Sequence, residues 1–190
     1  MLGGRSVPFD ADMQRWLAGF LPGVLREAGI NVPARVARLR ANGGVPSVLR
    51  EIGEIRSTGA KRAHYEELIK TTPLGASDAS KVFSQAGEDL SRSSGDLSAV
   101  LRKIPPGTVQ NAQSREAIGG AIARIRSSGD KTRTLKTLAP KADRETLLMI
   151  AKAAESIPSS GDKSGFLTTT ASEYLTPNDE ALREAFFRVA

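Results

Sequence analysis

Ile125-Arg126-Ser127-Ser128-Gly129-Asp130-Lys131 is the stretch on which the fold turns, because close copies of it recur along the chain. Ile55-Arg56-Ser57-Thr58-Gly59-Ala60-Lys61 precedes it, as does Ser91-Arg92-Ser93-Ser94-Gly95-Asp96. Ile157-Pro158-Ser159-Ser160-Gly161-Asp162-Lys163 follows it. The glycines are 36, 34 and 32 residues apart, the length of two short helices and two turns, as in other helix-pair arrays. Ser93, Ser127 and Ser159 each stand three residues before an acid, Asp96, Asp130 and Asp162. That is capping-box spacing, in which the hydroxyl accepts a first-turn N–H and the acid sits at the positive helix end. Ser57 has Ala60 in place of the acid, which predicts a weaker cap in the first copy.

Outward from each phrase the apolar residues fall at helical spacing. The first helices carry Tyr65/Leu68/Ile69, Leu97/Val100/Leu101/Ile104, Leu135/Leu138 and Phe166/Leu167/Tyr174, closed at Pro73, Pro105-Pro106 and Pro140. The second helices are expected to open on Ser77, Ser114 and Asp143, and a last helix on Asn178 after Pro177. Gly119-Gly120 lies inside a second helix, where two glycines cost roughly 1 kcal/mol each against alanine and imply a close helix contact. The predicted fold is all-α, an α-α solenoid of helix pairs (a HEAT- or TPR-like superhelix) with an N-terminal helical cap. The expected boundaries are an unstructured tail or cloning remnant at 1–7, a cap at 8–54, and repeats at about 55–90, 91–124, 125–156 and 157–190 in one continuous domain. The cap starts at Asp10 or Asp12, has Trp16 in its core, and includes a helix from Pro33 to Leu39 that stops at Asn42-Gly43-Gly44. Phe186, Phe187 and Val189 on the last helix either fold back on the preceding pair or form a sticky end able to self-associate end to end.

The formal charge of +6 lies entirely between Asp96 and Lys141, since the remaining segments balance. That points to Arg115, Arg124, Arg126, Lys131, Arg133 and Lys136 as a candidate basic surface for an acidic polymer; scattered charges that solvate helix faces give the same composition. There is no cysteine, so neither disulfides nor thiolate metal sites are available. No apolar run is long enough to span a bilayer, and Met1 to Asp12 lacks the apolar region of a secretory signal. His64, the one histidine, sits mid-helix without a nucleophile motif and reads as a surface or boundary residue. Zinc and nucleotide motifs are missing, so no catalytic residue, metal or cofactor is expected. A protein-interaction module is the leading reading, with polyanion binding and a structural spacer as alternatives.

The stretches Val7-Pro8-Phe9-Asp10-Ala11, Arg15-Trp16-Leu17, Leu21-Pro22, Arg26-Glu27-Ala28-Gly29-Ile30, Arg35-Val36-Ala37-Arg38-Leu39 and Val48-Leu49-Arg50-Glu51-Ile52 resemble an N-terminal helical segment of a group of bacterial cell-surface proteins. The phrase from Ile55 through Lys61-Arg62 to Tyr65-Glu66 and Leu68 is similar to that group's repeats. In the group such repeats follow a membrane-embedded zinc peptidase of the beta-lactam-sensing antirepressor type, or a β-rich adhesin-like segment. This chain has Ser-Gly-Asp where the group has Ser-Asp-Tyr and carries no peptidase motif, so the peptidase activity does not transfer. The resemblance implies an extracytoplasmic sensor or interaction region.

Overall fold

The computed structural model describes residues 9–176 and 178–190; the tail expected over 1–7 and Pro177 lie outside them. The described residues form ten α-helices and no strand. They are α1 (Ala11–Glu27), α2 (Val32–Gly53), α3 (Thr58–Thr71), α4 (Ala76–Asp89), α5 (Ser94–Leu101), α6 (Ala112–Ala123), α7 (Ser128–Leu138), α8 (Arg144–Glu155), α9 (Ser160–Tyr174) and α10 (Glu180–Val189). Short 3-10 turns at Thr108–Gln110 and Ala139–Lys141 lie before α6 and α8.

From α3 onward each helix packs on the one two places further along. The helices α3, α5, α7 and α9 form one row, and α4, α6, α8 and α10 a second. A single apolar cluster runs between the rows from Val32 to Val189. The aliphatic that leads into each Ser-x-Gly turn is buried, Ile55, Leu90, Ile125 and Ile157, the last three within that cluster. Counted from these residues, the second turn is one residue longer than the other three.

That extra residue changes the cap. Ser57, Ser127 and Ser159 accept the N–H of Ala60, Asp130 and Asp162 at 3.3, 3.3 and 3.2 Å, from similar extended conformations. Ser93, expected to cap in the same way, does not. Its backbone is turned to φ −127°, ψ 88°, and its hydroxyl donates to the Asp96 carboxylate at 2.7 Å instead. Nor is the first turn the deficient one. The acid missing at Ala60 is replaced from outside the phrase by Glu27, whose carboxylate accepts the N–H groups of Arg56 and Ser57. In the third turn Ser94 from the preceding unit plays that part, accepting from Arg126 and Ser127. The Oγ of its counterpart Ser128 is buried without a hydrogen-bond partner; where Ser94 meets the Arg126 N–H, the fourth phrase has Pro158, which lacks one.

The second helices open differently from expectation. α4 starts at Gly75 without a side-chain cap, and α6 is capped by Asn111, which accepts from Gln113 N–H at 2.9 Å. Ser114 is instead fully buried, donating across the row to Ala76 O at 3.2 Å. Thr146 makes the corresponding bond to Val109 O at 3.2 Å, below the expected Asp143 cap. The last helix is capped by Asp179, not Asn178, through Leu182 N–H at 3.1 Å. At Gly87 of α4 an added Cβ would stand 3.1 Å from Ala121 of α6. Gly119 meets only the flexible Met149 side chain. In α2 the helix kinks at Gly44, whose φ of 65° and ψ of −161° fall in a region reserved for glycine.

Between the rows, Asp89 gathers three donors. Lys61 pairs with it, Tyr65 OH donates to it at 2.7 Å, and Gln85 Nε2 donates at 3.2 Å while also reaching Leu49 O at 2.8 Å. The same places two units on are held by Lys131 and Ser156, joined at 2.9 Å. There the serine gives the buried lysine no counter-charge, and desolvation holds the ammonium below its ordinary pKa.

Candidate interaction surface

Of the segment expected to close the array at its N-terminus, α2 contributes Val32, Val36, Val45, Val48, Leu49 and Ile52 to the core, whereas α1 lies outside it. Asp10 starts α1 by accepting the N–H groups of Asp12 and Met13 at 3.1 and 2.9 Å, and the helix runs through Pro22. None of its residues is buried. Trp16, predicted as a core residue, is 58% exposed, and Phe9 and Phe20 are 69% and 51% exposed. Leu21, Val24 and Leu25 are exposed as well. At 100° per residue Met13, Trp16, Phe20 and Val24 fall on one face of α1, Phe9 stands just before the helix, and the Trp16 and Phe20 rings stack at 4.9 Å. Gly19 and Gly23 border that face, with open space where a Cβ would stand.

Polar contacts hold only the C-terminal end of α1. Arg26 pairs with Glu54 and lies 3.6 Å from Glu51. Arg35 of α2 bonds Glu51 at 2.9 Å and Pro22 O at 3.4 Å. The two backbone N–H groups at Arg56 and Ser57 hold the Glu27 carboxyl below its ordinary pKa. Gly29, at φ 64°, turns the chain into α2, and a Cβ added there would stand 3.7 Å from Ala60. A groove of about 800 Å³ runs beside the helix, lined by Gly19, Phe20, Gly23, Val24, Glu54 and Arg56 among others. The arrangement presents a helix held at one end, with its apolar face turned to solvent.

The six candidate basic residues are divided between the two rows and the turn that joins them. Arg115 and Arg124 belong to the second row, where Arg115 bonds Val109 O and Gln110 O and lies 4.0 Å from Asp143. Arg124 bonds Gly120 O at 3.2 Å. Arg126 is exposed in the turn before α7. Lys131, Arg133 and Lys136 lie on α7 in the first row. Lys131 is buried, correcting its place on a surface, and Arg133 pairs with Asp130 at 2.8 Å.

At the other end Phe186 and Val189 are buried against the preceding helices, Phe186 near Tyr174 with ring centroids 5.4 Å apart. Only Phe187 of that expected sticky trio is exposed. His64 is fully buried rather than at the surface. Its Nδ1 is 2.8 Å from Ala60 O, and its Nε2 is buried without a partner. Desolvation, against the bond to Ala60, lowers its pKa. Among the described residues no group of three or more His, Cys, Asp or Glu is placed to hold a metal, and no helix is long and apolar enough to cross a membrane. No protein-family model, curated protein or solved structure matches the chain.

The α1 face was missed in the sequence because its periodicity is that of any amphipathic core helix. The available signal was the pairing of Gly19 and Gly23 with three aromatics, a composition suited to close packing against another helix.

Proposed function

We propose that the chain is a non-enzymatic protein-interaction module: a short α-α solenoid whose helix pairs form a rigid support and whose recognition element is α1. The observation that carries this reading is the exposed aromatic face of α1 beside a fully formed core. Contiguous exposed apolar surface on a folded chain marks an interaction site, and an amphipathic helix recognises partners by its i, i+3, i+4 and i+7 anchors. Anchoring one end through Arg26, Glu27 and Arg35 fixes the helix direction, which lowers the ordering cost of binding. The resemblance to bacterial envelope repeats supports placing this role in a sensor or scaffold region of a larger extracytoplasmic protein.

A photo-crosslinking residue at position 20, expressed in the native cell, tests the reading. A discrete polypeptide adduct from position 20, absent when the probe is moved to Thr168 on α9, is the expected result. The reading fails if position 20 gives no adduct, or only the diffuse products seen from Thr168.

A further inference from the structure

We propose that the apolar face of α1 is the interface of a homodimer, in which the α1 helices of two copies pack antiparallel and cross near Phe20. This rests on α1 being the recognition element and names its partner as a second copy of the chain.

The first argument is area. Phe9, Trp16, Phe20 and Val24, with the edges of Met13 and Leu17, leave about 500 Å² of largely apolar surface per copy. Two copies would therefore bury about 1,000 Å², the size that a specific interface has to clear. Beyond α1 and its flanking Phe9 and Ile30, the exposed large hydrophobics among the described residues are Leu175 and Phe187, so no second patch of that size competes.

The second argument is self-complementarity, which a two-fold interface requires. An antiparallel crossing at Phe20 sets Trp16 of one helix against Gly23 and Val24 of the other. A large ring thus meets the open space at the glycine. It also carries Asp10 and Asp12 toward the end of the groove where Arg56 of the second copy stands. Antiparallel macrodipoles favour the same arrangement. A lipid surface fits less well: α1 carries Asp10, Asp12 and Glu27 against Arg15 and Arg26, and interfacial helices are rich in cations on their polar face.

Sedimentation of the purified chain should show a monomer–dimer equilibrium. Trp16→Ala should weaken it at least about tenfold, as loss of a central aromatic anchor does, with an unchanged far-UV CD spectrum because the residue is outside the core. The chain has no cysteine, so single cysteines report the register. Phe20→Cys should form an intermolecular disulfide under mild oxidation, whereas Val24→Cys should not, its copies standing on the order of 12 Å apart along the axis. A monomer at the highest soluble concentration overturns the proposal. So does a dimer insensitive to Trp16→Ala, a Val24→Cys crosslink as efficient as that at position 20, or flotation of a monomeric chain with phosphatidylcholine vesicles. If the purified chain is monomeric while position 20 crosslinks to a different polypeptide in cells, the homodimer is wrong and the interaction reading survives.

Discussion

Replacing Asp89 by alanine should be the most damaging polar substitution in the array. The carboxylate meets Lys61, Tyr65 OH and Gln85 Nε2 together. The Lys61 and Asp89 side chains are 10% and 16% exposed, and Tyr65 is fully buried. Removing one partner of a buried pair costs about 3–5 kcal/mol, and orphaning a buried hydroxyl about 1–3 kcal/mol. These losses overlap, and the residual exposure lets water reach the ammonium, so about 3–4 kcal/mol is the expected total. For a chain of this length that is a fall in Tm of about 6–16 °C. Urea melts followed by far-UV CD measure it, since Trp16 lies outside the core and is blind to its unfolding. Asp89→Asn keeps an acceptor for Tyr65 and should lose less. Lys61→Met combined with Asp89→Asn should recover much of the alanine loss, because the stranded cation is gone. A loss below about 1 kcal/mol for Asp89→Ala would mean that the three donors are solvated in solution, and the account of this junction would be wrong.

Ser156→Asp should stabilise the chain by about 0.5–1 kcal/mol by giving Lys131 the counter-charge that Lys61 already has, visible as a higher urea midpoint. His64 has a lowered folded pKa, so the unfolded chain binds the extra proton. The stability this residue contributes is present above its unfolded pKa of about 6.5 and is lost as pH falls below it; His64→Leu should flatten that part of the pH–stability curve. Gly87→Val should cost about 1–3 kcal/mol by forcing α4 from Ala121, whereas Gly129→Ala, facing open space in the first turn of α7, should add about 0.4–1 kcal/mol; paired melts of the two variants decide it.

The helices and their order were legible from the apolar periodicity, and three of the first helices also from their caps. Ser57, Ser127 and Ser159 mark first helices, and Ile55, Ile125 and Ile157 mark the buried residue that seats each turn. Leu90 kept that role while one added residue displaced Ser93 from its cap, a shift invisible when copies are aligned on glycine. Contacts between units were not legible. Ser114, Thr146 and His64 have the composition of surface residues, and only the neighbouring row shows their burial. The basic count between Asp96 and Lys141 likewise gave no arrangement, since its residues are divided between α6, α7 and the turn joining them. At α1 the same periodicity that identified the helix suggested a core, since amphipathicity does not reveal whether the covering partner belongs to the same chain.

α1 offers its apolar face to a partner, and Trp16, the only tryptophan in the sequence, reports on that face alone. Its emission and acrylamide quenching should be measured across a dilution series. The account predicts a blue-shifted, protected indole at high concentration that becomes red-shifted and fully quenchable on dilution, in step with the sedimentation coefficient. An indole protected equally at every dilution would contradict it by showing that α1 is covered within a single chain.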